Sequence, residues 1–368
     1  MKTVGVVGAG KIGSTVVDLL VGSGAYEVVL VDQSPAALAP FAYRTGVTTA
    51  ERAIDAPEAL AQALEGCFAV VNCAPFHLTT SVARAAKAAG AHYLDLTEDV
   101  AASRVVRELA ADAKTAFIPQ CGLAPGFITI AAWDLIKHFD QLHDVRLRVG
   151  ALPRYPSNAL NYNLTWSTDG VINEYCEPCE AIVNGALRET PALEECEEFS
   201  LDGVTYEAFN TSGGLGTLCL TLDGQVRNLN YKTIRYPGHA AIMKALLNDL
   251  NLRNRREVLK DILENSVPAT MQDVVIVFVT VSGMKDGRLM QETYVNKVYA
   301  QPVAGEMKSA IQITTAGAAC AVVDMLAGGQ LPQTGFIRQE DIPLAAFLAN
   351  RFGRYYAPDE VSFRAAAE

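Results

Sequence analysis

The residues with the plainest chemistry stand near the start of the chain. Gly8-Ala9-Gly10-Lys11-Ile12-Gly13 follows the apolar run Val4–Val7 and opens the amphipathic stretch Ile12–Val21. A GxGxxG alone is weak evidence, but a strand before it and a helix after it is the context in which it holds a dinucleotide. Gly8 permits a tight turn, Gly10 lets the backbone approach a pyrophosphate, and Gly13 allows close helix–strand packing. Ala9, Lys11 and Ile12 complete a loop whose phosphates would meet the free N–H groups of a helix N-terminus. A second signal is independent: Asp32 ends the run Val28–Val31, nineteen residues after Gly13. A carboxylate there accepts hydrogen bonds from the adenosine ribose. It would repel a 2′-phosphate, and Gln33 and Ser34 offer no cation to offset it. The pattern predicts NAD in preference to NADP.

Further groups are expected along the same crevice. Apolar runs at Val4–Val7, Val28–Val31, Ala69–Val71, Tyr93–Leu96 and Ala116–Ile118 alternate with helical stretches such as Ile12–Val21, Ser81–Ala89 and Ala101–Lys114. That alternation predicts a parallel sheet with crossover helices, and such sheets bind ligands beyond the carboxyl ends of their strands. Strand ends then bring Ala74 and Pro75, Asp95, Thr97 and Glu98, and Gln120 and Cys121 toward the nicotinamide. Ala74, Pro75, Thr97 and Cys121 are candidate cofactor contacts. Asp95 and Glu98 are candidates for proton transfer, and Gln120 for substrate binding.

The rhythm changes after Gly126. Longer, more polar strand-like segments run over Val145–Ala151, Leu160–Trp166, Val204–Phe209, Gln225–Thr233, Asp273–Ser282 and Arg288–Ala300. They suit an antiparallel sheet with one solvated face. Helices are expected over Ala240–Leu250, Arg256–Glu264, Ser309–Leu326 and Pro343–Phe352, and a frayed terminus over Ala365–Glu368. In this half Arg235 is the best clamp for a carboxylate, because its planar fork matches two oxygens. His239 follows Gly238 and could exchange protons near neutral pH. Tyr162, Asn163, Thr211 and Ser212 supply polar groups able to face a ligand.

Composition narrows the function classes. The 368 residues carry a net charge of −11, which disfavours a nucleic-acid backbone as partner. No signal-like h-region and no uninterrupted apolar stretch of membrane-spanning length is read from the sequence, so a soluble cytoplasmic protein is expected. The acidic run Glu194–Glu198 reads as a solvated loop. Eight cysteines are expected as reduced thiols. Cys176-x-x-Cys179 lacks the second ligand pair of a structural zinc site, so no metal is expected.

Taken together, Gly122–Gly126, the Tyr162–Tyr175 stretch, Ala208–Gly214 and Tyr231–His239 resemble the saccharopine dehydrogenase-like family over nearly the whole chain. Within it the resemblance is strongest to the lysine 6-dehydrogenase branch, because Ala124-Pro125-Gly126 stands where saccharopine dehydrogenases commonly carry Asp-Pro-Gly. The resemblance implies an α/β fold: a Rossmann-type doubly wound parallel sheet of residues 1–125 plus 308–360, with an inserted α+β substrate and dimerisation domain of residues 126–307. It implies a homodimer acting on a small molecule. The implied reaction is oxidation of the ε-amine of L-lysine with NAD, giving 2-aminoadipate 6-semialdehyde and ammonia. Arg235 would hold the α-carboxylate, and His239, Asp95 or Glu98 would move the proton. Oxidation of saccharopine is the alternative within the family, with Arg154 and Lys232 as extra cations. A catalytically silent NAD-binding regulator is the alternative from another class.

Overall fold

Short apolar runs that must bury both faces become the strands of a seven-stranded parallel sheet in the computed structural model, which describes residues 1–357. Its order is Gly335–Phe336, Ala116–Ile118, His92–Asp95, Ala69–Asn72, Lys2–Val7, Tyr26–Asp32 and Val47–Glu51. Val4, Val6, Val7, Val70 and Val71 are wholly buried in it. The edge strand Val47–Glu51 escapes sequence reading because it is half exposed and carries two threonines instead of an apolar run. The order reverses direction between Lys2–Val7 and Ala69–Asn72, which opens a crevice at the carboxyl ends.

The second sheet has eight strands and is mixed. Its path runs Glu197–Leu201, Val204–Asn210, Val226–Arg235, Gln141–Pro153, Asp273–Lys285 and Arg288–Tyr299, with the hairpin Cys179–Val183 and Ala186–Thr190 attached to Val226–Arg235. The expectation of a purely antiparallel sheet is corrected at one pair: Val226–Arg235 runs parallel to Gln141–Pro153. The long connection between them, with its own helix and hairpins, supplies the crossover a parallel pair needs.

Three other expectations change. Leu160–Trp166 is not a strand and makes only the isolated bridge Leu164–Ala269. Asn158 and Asn161 turn the chain there: Asn161 has φ of 50°, and the Asn158 amide bonds the backbone of Tyr162. The acidic run is only partly a loop, since Glu197 begins a strand and pairs with Arg148 and Lys232. The helix Phe127–Ile136 was not foreseen because it is apolar almost all round and shows no helical period.

The chain then returns to the first sheet. Ser309 and Gln312 form a capping box at the start of the helix Ala310–Ala327, and Asp273 accepts from the Ala310 and Ile311 N–H groups. This helix packs on Lys11–Gly22, where Gln312 reaches Thr15, and Tyr26 bonds Asp324 at 2.6 Å. Contrary to the sequence reading, Ala310–Ala327 is long and apolar enough to cross a membrane by length and composition, yet 83% of it is buried inside the fold, which accounts for its apolarity. Beyond it Gly335–Phe336 joins the parallel sheet beside Ala116–Phe117. The expected limit at residue 360 and the expected fraying of Ala365–Glu368 lie outside the described residues.

Candidate active site

The glycine loop is built as the chemistry requires. Gly8 has φ of 100°, and a Cβ there would lie 2.9 Å from the Cys73 carbonyl. A Cβ on Gly13 would stand 1.8 Å from the Gly8 oxygen, so close packing forbids any other residue. Gly10 is the opposite case: a Cβ would meet nothing within 4 Å, leaving open space at the N-terminus of the Lys11–Gly22 helix. That open approach fits a pyrophosphate. Asp32 accepts from the backbone N–H groups of Ala9 at 2.7 Å and Ser34 at 2.8 Å. One feature was missed: the Arg52 backbone N–H donates to the Asp32 carbonyl at 3.0 Å, which brings an arginine to the neighbouring strand end, its guanidinium on the Glu51 carbonyl.

The remaining strand ends line the same crevice. Asn72 Oδ1 accepts the Ala74 N–H, which shapes the turn into exposed Pro75. Asp95 is fully buried; its Oδ1 accepts from Thr97 and Gln120, while its Oδ2 has no hydrogen-bond partner. Burial pushes its carboxyl up to about 6, against the pull of those N–H groups. Gln120 sits at φ of 63° and donates its amide to Ser103. The Cys121 thiol is turned inward and donates to the Ile118 carbonyl at 3.0 Å, so any contact it makes with a ligand goes through its backbone.

Glu98 links this crevice to the second sheet. Gly213, at φ of 82°, packs so tightly on Glu98 that a Cβ would lie 2.2 Å from its carbonyl oxygen. The next turn residue, Ser212, donates its N–H to the carbonyl of Glu174. Two acidic residues from different parts of the chain, Glu98 and Glu174, thereby have their backbones against one turn. Burial raises both: Glu98 to about 7, and Glu174 well above its ordinary value, with Glu98 adding repulsion. Glu174 belongs to the helix Thr168–Cys176, and sequence reading passed over it as one acid among many.

Arg235 faces the same space. Strand alternation puts Tyr231, Thr233 and Arg235 on one face of Val226–Arg235, and Lys232 on the other. Arg235 is only 2% exposed; its Nε donates to the Tyr175 hydroxyl at 3.0 Å and its Nη1 to the Ile234 carbonyl. Nη2 makes no hydrogen bond among the described residues. Burial opposes its charge, but Tyr175, Tyr162 and Glu174 hold its pKa above the ordinary value. The Tyr162 ring lies 5.1 Å from its guanidinium carbon. Tyr162 Oη, Asn163 Oδ1 and Thr165 Oγ1 are buried without partners, a cluster of unsatisfied polar atoms of the kind a bound ligand satisfies.

Other candidates are committed elsewhere. The Thr211 hydroxyl bonds Thr233 at 2.8 Å. His239 is 1% exposed with both ring nitrogens engaged, and burial together with Arg235 lowers its pKa to about 3. Lys232 pairs with Glu197 across the sheet from Arg235, and Arg154 stacks over Tyr299. Cys176 and Cys179 are free thiols with raised pKa values.

Family comparisons agree with this layout. Residues 4–118 match the saccharopine dehydrogenase NADP binding domain, and residues 122–352 match the saccharopine dehydrogenase C-terminal domain. Among solved structures, the chain is similar to apo saccharopine dehydrogenase (L-Glu forming) from Saccharomyces cerevisiae, with 16% identity and a TM-score of 0.76 over 93% of this chain and 94% of that one. It is also similar to homospermidine synthase from Legionella pneumophila, solved with NAD, with 12% identity and a TM-score of 0.62 over 97% and 90%. At these identities the likeness is one of fold. A Rossmann crevice for a nicotinamide dinucleotide, and two consecutive domain matches that run almost the length of the chain, make this an NAD(P)-dependent oxidoreductase that belongs to the saccharopine dehydrogenase family.

Proposed function

We propose that the protein oxidises the ε-amine of L-lysine with NAD, the reaction of a lysine 6-dehydrogenase. The supporting observation is the charge inventory around Arg235: one buried guanidinium with a free Nη2, and the two carboxyls Glu98 and Glu174 interacting across the same turn. L-Lysine carries the complement, one carboxylate and two amines. Saccharopine adds two further carboxylates; of the cations expected to meet them, Lys232 is paired with Glu197 on the other face of the strand, and Arg154 is exposed over the Tyr299 ring.

Arg235 holds the α-carboxylate through Nη2, a charge-assisted bond that fixes which end of the substrate points inward. Tyr162, Asn163 and Ser212 complete the hydrogen bonds. Thr211 contributes its backbone, since its hydroxyl is taken. Glu174 neutralises one amine. The ε-amine has an ordinary pKa of about 10.4 and must be neutral when hydride leaves its carbon. Glu98, raised to about 7, accepts that proton as general base. Asp95 holds the turns at Thr97 and Gln120. Glycines 8, 10 and 13 with Asp32 hold the dinucleotide, whose nicotinamide accepts the hydride when bound. Water then adds to the freed imine, releasing ammonia and 2-aminoadipate 6-semialdehyde, which cyclises to a piperideine carboxylate.

NADH formation measured in parallel with L-lysine, L-ornithine and saccharopine tests the reading. Lysine is expected to be the fastest. Faster saccharopine turnover would transfer the assignment to the alternative, and turnover of none would leave a silent regulator. We also propose lobes of residues 1–125 with the return from 308, and 126–307, in a cytoplasmic homodimer. Its interface would be the mixed sheet, whose outer strand exposes Leu289, Met290, Val295 and Tyr299. Light scattering on the purified protein checks the dimer.

A further inference from the structure

Arg235, Tyr175, His239 and the Leu160 carbonyl form one continuous hydrogen-bonded line. The distances are 3.0 Å from Arg235 Nε to Tyr175 Oη, 3.1 Å from Tyr175 Oη to His239 Nε2, and 2.8 Å from His239 Nδ1 to the Leu160 oxygen. All three side chains are buried, each no more than 2% exposed.

The direction of every bond in the line is forced. A guanidinium only donates, so Tyr175 Oη accepts from Arg235. The single hydroxyl proton of Tyr175 must then point at His239 Nε2, which has to be an acceptor. A neutral imidazole with Nε2 bare carries its proton on Nδ1, and that proton meets the Leu160 carbonyl, a group that only accepts. No donor faces a donor, and one tautomer of His239 satisfies the whole line. Burial beside Arg235, which holds the ring neutral, agrees with this.

Packing fixes the same geometry. The His239 ring stacks on Phe209 with planes 13° apart, and it contacts the Tyr162 and Tyr175 rings edge-on or tilted. Gly238 and Ala240 N–H groups bond the buried carboxylate of Glu207, which anchors the backbone on both sides of His239. Arg235 is therefore gripped at Nε by the line and at Nη1 by the Ile234 carbonyl, leaving Nη2 as its one uncommitted edge.

We propose that Tyr175 and His239 are positioning residues that lock Arg235 so that Nη2 alone is presented to the substrate carboxylate, which makes them determinants of specificity for an α-amino acid over a plain amine. His239 does not move protons in this arrangement. The proposal rests on Arg235 being the carboxylate clamp of the proposed reaction. Tyr175 is one hydrogen bond from the clamp and His239 two, and both act only through Arg235. Loss of its hydroxyl frees the guanidinium to rotate about its last torsions, and a carboxylate must then pay for ordering it.

The test is Tyr175→Phe, which keeps the ring and removes one oxygen. Inhibition constants against lysine oxidation are measured for norleucine, which has the carboxylate and α-amine without the ε-amine, and for 1,5-diaminopentane, which has no carboxylate. The variant is expected to raise the KM for lysine and the inhibition constant of norleucine by about tenfold or more, with the 1,5-diaminopentane constant and NAD affinity unchanged. Equal weakening of both inhibitors would reduce Tyr175 to a packing residue and overturn the proposal, as would no change in either. His239→Gln, whose amide oxygen can take the Tyr175 proton, should retain lysine affinity that His239→Leu loses. If the wild-type protein does not oxidise lysine, the reaction assignment fails while the line is still read directly. Ring-nitrogen NMR of His239, assigned by His239→Gln, should then show a neutral Nδ1–H tautomer at about pH 6, just below the ordinary histidine pKa. A charged ring or an Nε2–H tautomer would overturn the line.

Discussion

Asp32 Oδ2 accepts the backbone N–H of Ala9 at 2.7 Å, so the carboxylate that ends Tyr26–Asp32 also fixes the glycine loop. In the proposed reading, where Asp32 meets the ribose, one residue would couple the choice of cofactor to the shape of its binding site. NAD is expected to be favoured over NADP by at least about tenfold in kcat/KM, about 1.4 kcal/mol. In Asp32→Ser the repelling charge is gone, and the preference should narrow. The same variant leaves the Ala9 N–H without its acceptor, at a cost of about 1 kcal/mol in stability without cofactor. Equal kcat/KM values in the wild-type protein would refute the role of Asp32.

The thiols at Cys176 and Cys179 are expected to be inert. Burial raises both, and pushes Cys179 up to about 12, so neither is a thiolate ready to bind metal or attack a disulfide. Cys176→Ser should keep full activity, and elemental analysis should find zinc well below one per chain. A tightly held equivalent would assign the pair a metal.

Asp95 predicts a specific dependence of stability on pH. Its carboxyl is raised from 3.8 to about 6 in the fold, so the folded state holds this proton more tightly than the unfolded chain. Below 3.8 the group costs nothing; stability then declines as pH rises toward about 6, and the full cost, roughly 3 kcal/mol, persists above it. Asp95→Asn keeps an oxygen for the Thr97 and Gln120 N–H groups and removes the charge. Denaturation at about pH 4 and about pH 7.5 should show a smaller loss in the variant than in the wild-type protein. Parallel losses would mean that the fold does not raise the Asp95 carboxyl above its unfolded value.

How much of this was legible in the sequence follows from how local each signal is. The glycine loop and Asp32 are read at once because their roles depend on neighbours in the chain, and the structure gives Gly8, Gly10 and Gly13 three different steric surroundings. Arg235 and Tyr162 stand out as unusual residues among Gly-rich turns, but that they meet at 5.1 Å depends on a long-range fold. Glu174 had no local mark at all. Its proximity to Glu98 arises only because the turn at Ser212 and Gly213 carries one partner on each side. His239 was read by residue type as a proton carrier. Burial beside Arg235 and two committed nitrogens make it a neutral link instead, and burial is the property a single sequence reveals least.

Lysine oxidation is expected to quicken with rising pH and to collapse without Arg235, and the two effects are separable. At neutral pH only a very small fraction of free ε-amine is neutral, given a pKa of about 10.4. Glu98, pushed up to about 7, is protonated at acid pH and able to accept a proton above that value, so kcat/KM should show a limb near 7 below the rise due to substrate. Glu98→Gln should remove that limb and keep the alkaline rise. Arg235→Ala acts on orientation instead: it deletes the buried guanidinium whose Nη2 is free beside Tyr162 and leaves the substrate carboxylate unpaired. Its kcat/KM for lysine should fall by two or more orders of magnitude, about 2.7 kcal/mol or more, with the shape of the pH profile unchanged. NAD affinity should hold, because Arg235 lies on the second sheet and the glycine loop on the first. A variant that loses NAD affinity, or keeps most of its lysine activity, would move Arg235 from the substrate to the scaffold.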